Sequence, residues 1–259
     1  MWLPRAHAEA PLAGSILLAS VFLKLAIYGF LRVLINFLPD ATAYFSPLVQ
    51  TIAIVTLVYS SLATIRQSDF KRLVAYSSIS HMAIVVLGVF SNTIVGIEGA
   101  ILLSIAHGFI SPAMFTLVGG VLYDQYHTRV IRYYRGMSLY MPVFALLFFL
   151  ATIANMGIPL SLNWAAEYMS LAGAFQKSPI IGVLGATGIV FSACYSIFLF
   201  NRIAFGSYSQ YLAKAKDVSR REFVLLFTLL LPAFVLGIFP NIILNDLHVA
   251  VTNLLYTVS

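Results

Sequence analysis

The chain has 259 residues, 61% of them hydrophobic and 9% charged, with a mean hydropathy of +0.94. An ordinary soluble domain carries about 25% charged residues, so this composition excludes a water-soluble protein and describes an integral membrane protein. The net charge of +6 comes from basic residues scattered over loops, which argues against nucleic acid as a partner. The single cysteine, Cys194, excludes an internal disulfide framework or an all-cysteine metal site, and its apolar surroundings predict core packing.

Apolar runs near 20 residues, separated by turn residues and charges, predict an all-α fold with about seven membrane-spanning helices. The spans are expected over 13–37, 44–65, 73–90, 95–123, 140–175, 180–200 and 223–244, with no soluble domain left over. They are too long and too many to be a signal peptide. The fifth is interrupted at NMGIPLSLN, where Gly157 and Pro159 end one helical half and Asn163 is placed to cap the next.

Charge gives an independent test of this count, because adjacent loops must fall on opposite sides. Arg66, Lys71 and Arg72, then Arg129, Arg132 and Arg135, then Arg202, Lys214, Lys216, Arg220 and Arg221 all fall on one side. Lys177 stands alone in the opposite loops. The basic side, with the N-terminus and Arg5, is therefore the cytoplasmic or matrix face.

Lys24, His81, His107 and Glu167 fall near the middle of their spans rather than at an edge. Lys24 is about 16 Å from the nearer end of its run at 1.5 Å per residue, well beyond the roughly 6 Å its stem can reach towards headgroups. Its ammonium must face other helices or water, which marks a functional site. His81 and His107 sit mid-span, His107 five residues before Pro112, whose missing N–H should kink the helix. Either histidine alone reads as a neutral imidazole bonded to a carbonyl. With Lys24 and Glu167 at the same depth, they read as an intramembrane proton pathway.

Glu167 follows the broken helix, a feature tolerated at membrane depth where protein or a water-filled cavity satisfies the freed backbone groups. An ion pair of Glu167 with Lys24 is the structural alternative, and it is compatible with transport. Glu98, near a span edge, is expected to be interfacial, and Asp69, Lys71 and Arg72 to form a solvated charged turn. Ser78 and His81 in SISHM have no carboxylate setting that would suggest a hydrolase. A glycine-rich phosphate loop, CxxC and HExxH are all missing, so no NAD, flavin, iron–sulfur cluster or zinc is expected to be held by this chain, and no cofactor or metal is assigned.

The stretches WLPRAHAEAPLAGSILLASVFLKLAIYG (2–29), DFKRLVAYSSISHM (69–82), GIEGAILLSIAHGFISPAMF (96–115) and YDQYHTRVIRYYRG (123–136) resemble chain 4 of the proton-pumping NADH:ubiquinone oxidoreductases, respiratory complex I. The AHAEAPLAGS context distinguishes chain 4 from the related chains 2 and 5 and from cation/proton antiporters. The resemblance implies a fourteen-helix fold of two inverted five-helix repeats, each with a broken helix, and a polar axis along the midplane. By motif, Lys24 matches the family's eighth-helix lysine, Glu167 the glutamate of the broken twelfth helix, and His81 and His107 the histidines between them. The residues before Glu167 (Asn163, Trp164, Ala165, Ala166) depart from the family, where a glycine often precedes the glutamate.

Under this resemblance, residues 1–259 are a single membrane domain holding helices 8 to 14, the C-terminal half of the antiporter-like module. The fifth-helix glutamate and seventh-helix lysine of the first repeat would lie in a separate polypeptide from a split gene, or in the rest of a longer chain. Met1, directly before the motif, suits a translation start. The expected function is half of a proton pathway in the membrane arm, driven by electron transfer from NADH to ubiquinone elsewhere. Lys24, His81, His107 and Glu167 would form the relay, with no redox centre in this chain. Its partners would be the missing half, chain 2-like and chain 5-like neighbours, and lipids. The alternatives are a non-catalytic scaffold of the complex or a free-standing cation/proton antiporter. High aromatic content and scarce charge suit the mitochondrial inner membrane, with a bacterial plasma membrane as the alternative.

Overall fold

A computed structural model describes residues 2–256 apart from 208, 210 and 213–215. Met1 and Lys214, which entered the expectations above, lie outside the described residues. A short helix, α1 (Leu3–Glu9), precedes α2 (Leu12–Ile35), α3 (Pro39–Ile65), α4 (Phe70–Val89) and α5 (Ile94–Tyr126). There follow α6 (Pro142–Asn155), α7 (Leu162–Lys177), α8 (Pro179–Ala204), α9 (Arg220–Ile238) and α10 (Asn241–Tyr256). Six of these helices are long and apolar enough to cross a membrane, and α6 with α7 supplies the broken seventh crossing. The all-α, seven-crossing expectation therefore holds.

The helix starts follow from local chemistry. Proline opens α3, α6 and α8, where its missing N–H costs nothing. The Asp69 carboxylate accepts from the backbone N–H groups of Lys71 at 2.8 Å and Arg72 at 3.2 Å, capping α4. Thr93 caps α5, and Ser219 with Glu222 forms a capping box on α9. Two π-helical segments, Leu18–Phe22 and Phe30–Ile35, interrupt α2, and a third, Thr116–Leu122, follows Pro112 in α5.

The centre of the bundle is α4, α5 and α7. The tightest pair is α5 with α7, held close by small residues: a Cβ placed on Gly99 would fall 2.4 Å from the Ser170 backbone nitrogen. One on Gly173 would fall 2.3 Å from the Gly96 Cα. The outer helices α2, α3, α8 and α9 keep large apolar side chains such as Phe22, Val55, Val183 and Val224 exposed, as a lipid-facing or subunit-facing surface requires.

The basic loops lie together, as the charge pattern requires. Phe70 donates its N–H to the Arg129 carbonyl and Ile131 to the Ser68 carbonyl. Asp217 accepts from the N–H groups of Val143 and Phe144, and Gly136 donates to the Phe205 carbonyl. Lys71 ties the N-terminal segment to the same face by donating to the Ala10 carbonyl at 2.6 Å. The expectation of a solvated charged turn fails for Lys71, which the N-terminal segment buries, while Arg72 stays exposed and Asp69 half-buried.

Three further expectations are corrected. Cys194 is exposed, because α8 turns its glycine and serine stripe (Gly185, Gly188, Ser192, Ser196) inward and the thiol outward. The predicted last span, 223–244, is two helices: Phe239 breaks the backbone before Pro240, and α10 runs on separately. The cap of α7 is Ser161, whose hydroxyl accepts from the Trp164 N–H, while Asn163 lies inside the helix.

Candidate proton-transfer axis

Depth in the spans predicted four residues, and the fold joins them in two bonded pairs. Lys24 donates its ammonium to the Ala19 carbonyl, which lies in the first π-helical segment of its own helix, and to His107 Nδ1 at 2.8 Å. The π turn matters because it displaces a carbonyl from the regular ladder towards a side chain that needs an acceptor. Accepting from an ammonium requires a bare Nδ1, so His107 is the neutral Nε2–H tautomer in this arrangement.

His81 donates from Nδ1 to Glu167 Oε1 at 2.8 Å, both side chains being buried. The Tyr195 hydroxyl donates to the other ring nitrogen, Nε2, at 3.4 Å. The two imidazoles face each other with ring centroids 5.8 Å apart and planes at 56°. The order is therefore Lys24, His107, His81, Glu167, drawn from α2, α5, α4 and α7. The alternative of a direct Lys24–Glu167 ion pair is not realised: two histidines stand between them.

The ends of the row differ. At Lys24, a groove of about 500 Å³ lies between α2 and α5, lined among others by Ser20, Tyr28, Ser104 and Gly108. At Glu167, the helix break closes in. Gly157 has φ +72°, a conformation costly for other residues, and a Cβ there would lie 2.9 Å from Glu167 Oε2. Leu160 also has a positive φ, +82°, and α9 crosses the break so closely that a Cβ on Gly237 would fall 2.3 Å from the Leu160 carbonyl.

One residue was missed and another is more enclosed than expected. Tyr195 is buried beside His81, and a phenol in the middle of an apolar span was the available signal. Glu98, near the start of α5, is buried, its Oε1 accepting from Nδ1 of the largely exposed His248 at 2.7 Å on α10. His81 does have a carboxylate partner, but Ser78 bonds to Ser111 and the Val74 carbonyl, so no hydrolase triad forms.

On the basic face His7 is buried, stacked on Phe115 with centroids 4.6 Å apart. Its pKa is pushed down to about 4, first by burial and then by the Lys71 charge. Burial likewise pushes the Tyr134 phenol up, with Tyr126 adding to the shift; its hydroxyl donates to the Thr128 carbonyl at 2.7 Å.

Six long apolar helices and a broken seventh crossing, with a buried lysine, two histidines and a glutamate in a row between them, define a polytopic membrane protein with a polar interior. The family described as "NADH:quinone oxidoreductase/Mrp antiporter, TM" matches residues 1–192, and the chain belongs to that family. It is 67% identical over all 259 residues to NADH-ubiquinone oxidoreductase chain 4 of Mycosarcoma maydis, covering 54% of that protein. It is 47% identical over 251 residues (97% of this chain) to chain 4 of Metridium senile, covering 51% of it. The chain thus spans about half the length of the curated relatives it matches. Among solved structures, it is similar over its full length to 54% of a chain of respiratory complex I from Thermus thermophilus with bound NADH, with TM-score 0.91 and 28% identity. It shares its fold with 55% of a chain in the Mrp complex from Dietzia sp. DQ12-45-1b, which covers 98% of this chain with TM-score 0.89 at 16% identity. The chain-4 relatives, the transmembrane family and the apolar helices together make this a multi-pass protein of the mitochondrial inner membrane.

Proposed function

We propose that this chain conducts protons within the membrane arm of a proton-pumping NADH:ubiquinone oxidoreductase, supplying the second half of a chain-4 pathway. Residues 1–259 act as one membrane domain, and electron transfer takes place in other subunits. The observation that carries this reading is the row Lys24–His107···His81–Glu167, two hydrogen-bonded pairs whose imidazoles stand 5.8 Å apart. In this reading a water molecule carries the proton between the two rings.

The hydrogen bonds set the order of transfer. A proton leaves Lys24 Nζ for His107 Nδ1, and His107 releases its Nε2 proton to the intervening water. That water protonates His81 at Nε2, and the Nδ1 proton of His81 passes to Glu167 Oε1. Each charge moved across the membrane requires about 2.3 kcal/mol per 100 mV, so the row must be driven by charge changes in its surroundings. Those changes come from the neighbours: the polypeptide segment carrying the first repeat, beside the groove at Lys24, and chain 2-like and chain 5-like subunits beyond.

The test is Lys24→Ala in the intact complex reconstituted into vesicles. The variant assembles and its proton output per NADH falls, because the row has lost its donor. Unchanged proton output would remove Lys24 from the pathway and favour a scaffold role.

A further inference from the structure

Asn163 is wholly buried, and neither its amide nitrogen nor its amide oxygen has a hydrogen-bond partner among the described residues. Orphaned buried amides are rare and cost about 1–3 kcal/mol per group, so such a side chain usually serves a bound group. It lies four residues before Glu167 on α7, which puts the two on one face with Cβ atoms roughly 5–6 Å apart. The carboxylate has a matching direction to offer: Oε1 takes the His81 bond, while Oε2 is turned towards Gly157 at the break.

We infer that Asn163 and Glu167 Oε2 together bind a water molecule, and that this water receives the proton when Glu167 releases it. The chemistry of the amide selects the ligand. A cation would be met by oxygens alone, whereas Asn163 presents two N–H donors beside one acceptor, the pattern that suits water. In the step, Glu167, protonated at Oε1 by His81, rotates its carboxyl so that the O–H takes the position of Oε2; that O–H bond breaks as a bond to the water oxygen forms, and the water passes one of its own protons to solvent on the far side of the break. Glu167 is left as a carboxylate, to be reprotonated from His81. Asn163 is a positioning residue: it takes up no proton but fixes the water that does. This site rests on the proposed pathway, since it serves the terminal carboxylate of that row.

The experiment uses the intact complex in vesicles. Glu167→Gln identifies, by deletion, the infrared carbonyl band of protonated Glu167. In Asn163→Leu, close in size but unable to donate or accept, that band moves to higher frequency and coupled turnover falls about tenfold, equivalent to about 1.4 kcal/mol. Asn163→Ser, which keeps a hydroxyl and leaves room for water, retains the wild-type band. A wild-type band and turnover in Asn163→Leu would overturn the water site while leaving the pathway intact. Wild-type proton output in Glu167→Gln would overturn the pathway itself, and the band position would still decide the water site. If Asn163→Leu does not assemble, serine is compared with alanine: a band that moves only in alanine supports the site, and identical bands overturn it.

Discussion

Substituting Gly157 by alanine separates two things the helix break does. A non-glycine residue at φ +72° costs about 1–2 kcal/mol in the backbone alone. The added methyl would also lie 2.9 Å from Glu167 Oε2, where ordinary contact begins at 3.4 Å. The carboxylate must then retreat by about 0.5 Å, and its bond from His81, now 2.8 Å, is the one that lengthens. A charge-assisted hydrogen bond is worth about 1.5–3 kcal/mol, so transfer from His81 to Glu167 should slow by about 10- to 100-fold. The assay is NADH-driven proton uptake by reconstituted vesicles, normalised to assembled complex. Gly206→Ala is the control: φ is +105° there, but its Cβ would meet only Arg135 Cβ at 3.9 Å, far from the row. It should reproduce the backbone cost and leave proton uptake unchanged. Equal uptake in wild type, Gly157→Ala and Gly206→Ala would refute the claim that the glycine is there to let the carboxylate approach.

Two further outcomes follow from packing and charge. Gly173→Ala forces a methyl to within 2.3 Å of Gly96 Cα, so it should lower stability by about 1–3 kcal/mol or more and reduce assembled complex on native gels. His7 has a folded pKa of about 4 against 6.5 when unfolded, so the unfolded chain binds the extra proton between those values. Stability is therefore full above pH 6.5 and declines as pH falls towards 4, by about 3 kcal/mol in all. His7→Phe keeps a flat ring against Phe115 and should flatten that acid limb in thermal melts taken across the same range.

Depth was legible in the sequence; direction was not. An ionisable group in the middle of an apolar run is conspicuous whatever surrounds it, and Lys24, His81, His107 and Glu167 were found that way. Which face of a helix points inward is harder to read when the helix is apolar all round, because the polar stripe that orients a surface helix is missing. Cys194 was placed in the core for that reason. Lys71 was expected to be solvated and Glu98 interfacial because the groups that enclose them, the Ala10 carbonyl and the α10 residue His248, lie 61 and 150 residues away in the chain. The end of α9 was hidden because hydropathy continues through Phe239 and Pro240, although the proline cannot carry the ladder on. Asn163 was assigned a cap by type, yet Ser161, two residues earlier, reaches the free N–H of Trp164 and leaves the amide inside.

The glycine-lined seam between α5 and α7 has a mechanical consequence. With backbone facing backbone at Gly96, Gly99 and Gly173, the helices that carry His107 and Glu167 pack with no room for a side chain between them. The joint at residues 157–160 lies outside that seam but closes on the Glu167 carboxylate through Gly157. A larger residue anywhere on the seam would therefore force apart the two helices that carry His107 and Glu167, and one at the joint would press on the carboxylate itself.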